Sequence, residues 1–243
     1  MTSMVEALAW DTEFWGVATA RVVVADGETP AALSALLTTA MGEFKFLQVL
    51  LPLDAVGLIV AAEECGFRFA DVRCLLDIPE NMPLPNTSGE PSFVAASGDV
   101  LSAAAELAAR SHSISRFVSD ASLDPQATSD LYRRWVLRDA GAHGWEVDVV
   151  LDGSDVLGYV TYGVDSAGEG SIGLIGVAEA ARGSGLGNAL ASRAVLQCRA
   201  AGARRMTVVT QAGNASAMRM YRSVGFGVVS MGCWLHWHLG SQG

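Results

Sequence analysis

The chain has 243 residues, 51% of them hydrophobic and 17% charged, with a formal net charge of -10. This composition supports a globular core in one large domain or two small ones. The acidic excess, with no basic run or stripe, argues against nucleic acid and anionic membranes as partners, and no apolar run approaches the ~20 residues of a membrane span.

In chain order, the apolar and turn patterning predicts a strand at 17–24 and a helix from Pro30 to about Met41. A strand at 46–51, a helix near 54–65 and a strand at 67–78 follow. Residues 79–92, PENMPLPNTSGEPS, hold four prolines with Asn, Ser and Gly and read as a linker. Beyond it come a short strand at 92–96, a helix at 98–110, an irregular segment at 111–124 and a helix at about 126–140. Three apolar runs separated by turn residues (WEVDVVL, VLGYVTYGV and GSIGLIGV) predict an antiparallel meander. A helix at about 186–201, the strand RMTVVT, a helix from Asn214 to Val224 and the strand FGVVSMGCWLHWHL close the chain. The expected organisation is an N-terminal α/β domain at 1–78, a linker at 79–91 and a second domain at 92–243.

CGFRFADVRCLL at 65–76 aligns without a gap to VGFGVVSMGCWL at 224–235, so that Gly66, Phe67, Cys74 and Leu76 match Gly225, Phe226, Cys233 and Leu235. A duplicated half-fold would leave this echo, and so would shared turn chemistry. None of the four cysteines forms a CxxC pair, and the four histidines lack metal-ligand spacing. His236 and His238 alternate on a strand and so share a face; they read as ordinary strand residues rather than a metal pair, and no metal is expected. The first residues show no basic segment followed by an apolar one. A cytoplasmic, disulfide-free protein, monomeric or homodimeric, is expected.

Three glycines within five residues, Gly183, Gly185 and Gly187, stand behind Arg182, between the strand SIGLIGV and a helix. A helix N-terminus leaves backbone N–H groups unpaired and carries partial positive charge, and bare glycines let an anion approach them. The run is not a Walker A loop, since no Lys-Ser/Thr follows, and it lacks the acidic residue of a dinucleotide fingerprint.

Arg182-Gly183-Ser184-Gly185-Leu186-Gly187 resembles the Arg/Gln-x-x-Gly-x-Gly/Ala coenzyme A loop of the GNAT superfamily of N-acetyltransferases. NASAMRMYRSVGF at 214–226 is similar to that superfamily's Asn-x-x-Ala-x-x-x-Tyr-x-x-x-Gly-Phe segment, through Asn214, Ala217, Tyr221, Gly225 and Phe226. The likeness covers about residues 92 to 238. It implies an α/β fold with a mixed sheet, the GNAT acyl-CoA N-acyltransferase fold, carrying an N-terminal extension that resembles a degenerate half of that fold. It implies acetyl-CoA as the acyl donor and direct transfer to a primary amine in a ternary complex. WDTEFWGV near the start and SRFVSDASLDPQATSDLYRRWVLRDA before the meander further resemble acetyltransferases of dTDP-linked amino sugars. Another small amine or a peptide as acceptor, or a non-catalytic acyl-CoA-binding module, are the alternatives.

On this resemblance Leu174, Ile175, Gly176 and Val177 would pair with the pantetheine along a splayed strand. Arg182, Gly183, Ser184, Gly185, Leu186 and Gly187 would hold the pyrophosphate, with Asn214, Ala217 and Tyr221 beside the cofactor. Tyr221, protonated at neutral pH, is the expected general acid. For the base, Asp71, Asp165, Glu169 and His112 are the candidates read from the chain itself; Asp71 follows the N-terminal Gly-Phe, where the extension would cover the acceptor site. Trp15, Arg116 and Phe117 are expected to bind the acceptor: arginine suits a diphosphate, and an aromatic ring suits a sugar or base face. Residues 1–78 would form one wall of the acceptor site.

Overall fold

The computed structural model describes residues 2–83 and 91–240, so 84–90 of the expected linker lie outside the described residues. The elements are β1 (Met4–Ala7), α1 (Ala9–Trp15), β2 (Thr19–Val23), α2 (Pro30–Met41), β3 (Phe46–Pro52), α3 (Val56–Glu64) and β4 (Arg68–Pro79). They continue with β5 (Phe93–Ala95), α4 (Gly98–Ser111), α5 (Pro125–Gly141), β6 (Trp145–Asp152), β7 (Asp155–Val164) and β8 (Glu169–Val177). A 3-10 turn at Glu179–Ala181 leads to α6 (Leu186–Ala200), β9 (Arg205–Gln211), α7 (Ala215–Val224) and β10 (Gly227–His238). Sequence patterning anticipates all of these but β1, α1 and the 3-10 turn. Trp15 ends α1.

Local chemistry sets several boundaries. Pro30 opens α2, where its missing N–H costs nothing, and the Thr29 side chain accepts from the Ala32 amide at 3.2 Å. Asn214 caps α7 by accepting from the Ala217 amide at 3.1 Å. The echo between the two Gly-Phe segments is structural as well. Phe67 N–H bonds Ala62 O and Phe226 N–H bonds Tyr221 O, both at 3.0 Å, each after a glycine of positive φ. The same turn thus ends α3 and α7, with Ala62 standing where the later helix has Tyr221.

Two compact units interleave along the chain rather than dividing at the linker. The first comprises Met1–Arg73, Ile114–Ala127 and Ser230–Gly243; the second comprises Cys74–Ser113 and Thr128–Val229. In the first unit β2 and β3 run parallel around α2, β1 lies antiparallel on β2, and β10 lies antiparallel on β3. In the second, β8 and β9 run parallel around α6, the meander β5–β6–β7–β8 is antiparallel, and β4 neighbours β9. The succession β2–α2–β3–α3–β4 therefore repeats β8–α6–β9–α7–β10, but each unit takes its closing strand from the other half of the sequence.

Strand alternation divides the first unit's sheet into two unlike faces. Ala20, Val22, Leu47, Val49, Leu51, Cys233, Leu235 and Trp237 point into an apolar core with Leu33 and Leu37 of α2 and Ala62 of α3. The other face carries polar and aromatic side chains. In the second unit Val160, Ile172, Val208 and α6 form one cluster with Tyr221, Val224 and Phe226, while Val147, Val149, Tyr159 and Leu174 pack with α4 and α5. No helix among the described residues is long and apolar enough to cross a membrane.

Leu235 is fully buried at the centre of the first unit's core. Leu235→Ala is expected to destabilise the protein by about 2–5 kcal/mol, read as a lowered denaturant midpoint in chemical unfolding.

Candidate active site

β8 is paired along its whole length with β7, from Gly170 to Val177, but its parallel pairing with β9 ends at Ile172↔Val208. Beyond that point residues 173–177 and 209–211 are no longer paired, leaving that edge of β8 without a strand partner among the described residues. The divergence begins at a bulge. The β7–β8 register shifts between Val160↔Ile175 and Tyr162↔Ile172, so that Gly173 and Leu174 stand opposite Thr161 alone. Thr161 Oγ1 accepts from the Leu174 amide at 2.8 Å and donates to Asp139 Oδ2 at 2.8 Å. Asp139 is 2% exposed, and its carboxyl also takes the Arg138 guanidinium at 3.0 Å. Burial raises its pKa, and the bonds to Thr161 and Arg138 oppose the rise. The amide of Leu174 is thus used to hold the bulge, and the backbone of Ile175, Gly176 and Val177 carries on along the parted edge.

Gly176 has a packing reason to be bare: a Cβ there would lie 2.5 Å from Cε1 of Tyr159. The Tyr159 hydroxyl meets His112 Nε2 at 2.7 Å, and the imidazole stacks on Tyr132 at 4.4 Å. Burial lowers the His112 pKa to about 4 and pushes Tyr159 well above its ordinary value. A neutral imidazole whose Nε2 is engaged by a phenol has little left to offer an acceptor amine. Asp165 and Glu169, the other candidate bases in this unit, sit at the opposite end of β8 from Val177. The Asp165 carboxylate there accepts the Ala167 and Glu169 amides of a turn, each at 2.9 Å.

After β8 the glycine loop divides its labour. Gly185 is the N-cap of α6 at φ +86, a left-handed conformation that side chains resist, and nothing lies within 4 Å of where its Cβ would stand. The space above the helix N-terminus is therefore open to a ligand, and Arg182, Gly183 and Ser184 are exposed around it. Ser184 Oγ donates to Ala181 O at 2.7 Å, which ties the loop down. Gly187 has a different reason: a Cβ would come 2.8 Å from Sδ of Met220, so this glycine brings α6 against α7. Two turns beyond Asn214, Tyr221 is 3% exposed, its ring edge-on to Phe226 at 5.6 Å, and burial raises its pKa far above neutrality. It is a proton donor throughout the physiological range.

An acyl thioester of coenzyme A is the ligand these parts suit, with an anion at the loop, an amide-bearing arm along the parted edge and a proton for the departing thiolate. The chain belongs to the acetyltransferase (GNAT) family, whose model matches residues 102–226. It is an N-acetyltransferase of that family, whose members use acetyl-CoA as acyl donor. It is 28% identical over 235 residues, 96% of this chain and 97% of the relative, to dTDP-fucosamine acetyltransferase of Escherichia coli O6:H1. Among solved structures, it is similar to a GCN5-related N-acetyltransferase from Kribbella flavida at TM-score 0.70 and 18% identity, covering 99% of this chain and 89% of that one. It is also similar to a tandem GNAT protein from the clavulanic acid biosynthesis pathway at TM-score 0.60 and 15% identity, covering 93% and 76%.

The acceptor-binding residues expected from sequence, Trp15, Arg116 and Phe117, come together in the first unit, as does Asp71. The Arg116 guanidinium lies 3.8 Å over the Trp234 ring and 4.5 Å from the Phe117 centroid, and Trp15 packs 5.8 Å from Phe117. Phe117 is buried, which its aromatic neighbours account for. Asp71 Oδ1 accepts from the Val72 amide at 2.7 Å, while Oδ2 is buried without a hydrogen-bond partner. Burial raises its pKa against the opposing charge of Arg116. Asp11, Gln48, Asp120, His236, His238 and Trp234 join this group. Only the alternation of His236 and His238 is visible in sequence; no local pattern connects a strand at the C-terminus to residues 11, 48 and 120.

Gly185→Asp would set a carboxylate at the helix N-terminus in place of a bound anion, and calorimetry is expected to show loss of coenzyme A binding in a folded variant. The His112 imidazole, buried against Tyr132 and Tyr159, is neutral when folded and titrates near pH 6.5 when unfolded. The unfolded state therefore binds the extra proton between pH 6.5 and about 4. The stability of the native protein relative to His112→Asn should fall as pH is lowered through that window, as measured by denaturant titrations of both proteins.

Proposed function

We propose that this acetyltransferase transfers acetyl from acetyl-CoA to the primary amine of a nucleotide-linked amino sugar, by direct attack in a ternary complex. The observation that carries this reading is the extent of the likeness to dTDP-fucosamine acetyltransferase. It runs over 96% of the chain, and so takes in the residues before 102 that the general acetyltransferase model leaves unmatched. Those residues supply α1, β2, β3 and, with Asp11, Trp15, Gln48 and Asp71, part of the polar face of the first unit. An arginine against the Trp234 and Phe117 rings, with further aromatic and polar groups around it, supports a ligand with both an anionic diphosphate and a ring to stack.

On this reading the donor is handled in the second unit. The amides of Gly183 to Gly187, with Arg182, hold the pyrophosphate; the edge from Ile175 to Val177 pairs with the pantetheine, the Leu174 amide being taken by Thr161; and Asn214 and Ala217 flank it. Tyr221 gives its proton to the leaving thiolate. The acceptor is handled in the first unit, where Trp15, Arg116 and Phe117 hold it and Asp71 takes the proton of its ammonium group. A carboxyl raised by burial is a better match for that task than an ordinary one. The retained tyrosine favours an enzyme over a module that only binds acyl-CoA, since binding requires no proton donor.

Tyr221→Phe keeps the ring and removes the donor. Turnover is expected to fall by about 10²-fold or more with little change in acetyl-CoA affinity. Steady-state kinetics on dTDP-4-amino-4,6-dideoxygalactose, compared with a polyamine and an aminoglycoside, tests both the role and the acceptor class. Preference for the polyamine would overturn the sugar assignment.

A further inference from the structure

The polar face of the first unit's sheet is an unusual surface to bury. Residues opposite one another on neighbouring strands share a face. Leu50 lies opposite Trp234, Gln48 opposite His236 and Phe46 opposite His238. On the far side of β3, Arg21 lies opposite Gln48 and Thr19 opposite Phe46. This face is covered by α1 and by residues of the 114–127 segment. Trp15 packs edge-on to Phe46 at 6.2 Å, Phe117 lies 6.2 Å from His236, and Asp120 reaches both imidazoles. Gln48 is 0% exposed and His236 3%.

The chemistry of His236 is narrowly defined. Its Nδ1 meets Asp120 Oδ2 at 2.7 Å, and His238 Nε2 meets the same oxygen at 2.7 Å. Burial alone would raise the Asp120 carboxyl, but the two imidazoles and the Ser122 amide hold it well below the usual carboxylate range. Burial also keeps His236 neutral, assisted by the charge of Arg116 and opposed by Asp120. A neutral imidazole that donates through Nδ1 carries a lone pair on Nε2. That atom is buried with no hydrogen-bond partner. The carboxamide of Gln48, close to Asp11 but not at hydrogen-bonding geometry, is likewise unsatisfied at both atoms, as are Asp71 Oδ2 and Trp15 Nε1. Trp237 Nε1 does not belong to this set, because its ring points into the apolar core on the other face.

Each buried polar atom without a partner is destabilising, and natural proteins tolerate few. Here five such atoms, on Gln48, His236, Asp71 and Trp15, occur in one unit among the rings of Phe46, Phe117 and Trp234. They include obligate acceptors, an obligate donor and a carboxamide that does both. Hydroxyl groups, which donate and accept, complement such a set, and the C–H faces of a sugar ring complement the aromatics.

We propose that this polar layer is a carbohydrate-binding site in which His236 Nε2, fixed as an acceptor by Asp120, takes a hydroxyl of the ligand's sugar ring and Gln48 pairs with a second polar group. This deepens the sugar-nucleotide reading and rests on it for the identity of the ligand. His236 recognises the sugar, and Asp120 is a positioning residue that sets its tautomer.

The test is calorimetric binding of dTDP-4-amino-4,6-dideoxygalactose, of dTDP alone and of acetyl-CoA to the native protein and to His236→Phe and Gln48→Leu. Two variants are used because either could fail to fold, and retained acetyl-CoA binding reports folding. The expected result is at least a 10-fold loss of affinity for the sugar nucleotide, with dTDP and acetyl-CoA unchanged. Asp120→Asn should weaken the same ligand while His236→Gln, which keeps an acceptor, restores part of it. Unchanged sugar-nucleotide affinity in a folded variant would overturn the proposal, as would an equal loss for dTDP alone. If the native protein binds no sugar nucleotide, the acceptor reading fails by itself. The layer is then tested with an aminoglycoside and with spermidine, where sensitivity to His236→Phe confined to the hydroxylated amine supports the site and sensitivity confined to spermidine overturns it. The ligand atoms of Asp120, His236 and His238 lie within 4.8 Å of one another, so stabilisation by zinc that His238→Ala abolishes would make this a cation site and also overturn the proposal.

Discussion

The second unit depends on keeping two parallel strands apart. Parallel pairing satisfies backbone groups on both strands, and a strand that leaves its neighbour partway forfeits those bonds. Here the loss starts just past Ile172, where the β7–β8 register takes in an extra residue. The bulge is held by a chain of three groups: the buried carboxyl of Asp139, the Thr161 hydroxyl and the Leu174 amide. A buried carboxylate is costly by itself, and Thr161 and Arg138 offset that cost. The unpaired edge that results is one an extended ligand could pair with. On the proposed reading, the glycine loop and Tyr221 serve one extended ligand that this parted strand leads to them.

The first unit places its constraint elsewhere. One face of its sheet is conventionally apolar and packs on α2 and α3. The other buries one imidazole and a carboxamide and half-buries an ionised aspartate, a second imidazole and an arginine against aromatic rings. Core burial on the first face supplies the stability that lets the second remain polar. Gln48, Trp234, His236 and His238 are held on strands with fixed register, while Arg116, Phe117 and Asp120 reach this face from the irregular segment between α4 and α5.

The exchange of closing strands ties this arrangement to the chain's connectivity. Cys74, Leu76 and Ile78 of β4 lie in the second unit's core, and Cys233, Leu235 and Trp237 of β10 lie in the first's. A cut after residue 78 would therefore strip the second unit of three core side chains, and neither sequence half holds the complete core of a unit. The duplicated succession of elements is preserved while the chemistry is not. The first half has no glycine loop before α2 and has Ala62 where the second has Tyr221.

The sequence by itself determined the local structure and the donor chemistry. Hydrophobic period, Pro30, Asn214 and the Gly-Phe turns mark elements through contacts within a few residues. The loop from Arg182 to Gly187 and the segment from Asn214 to Phe226 are contiguous, so their spacing is written directly in the chain. The short elements β1 and α1 were not legible, because four and seven residues give too little periodicity to separate from a loop. The same holds for the distinct reasons behind the glycines. Open space at Gly185 and contact with Met220 at Gly187 look identical in one dimension. Only the tertiary structure decided the interleaving of the units, the anchoring of the bulge by Asp139 and the polar layer that joins residues 11, 48, 71, 120 and 236. The physical reason is the same in each case: these are pairings across sheet register, set by burial over long sequence separations, and no local propensity encodes which distant strand will stand alongside.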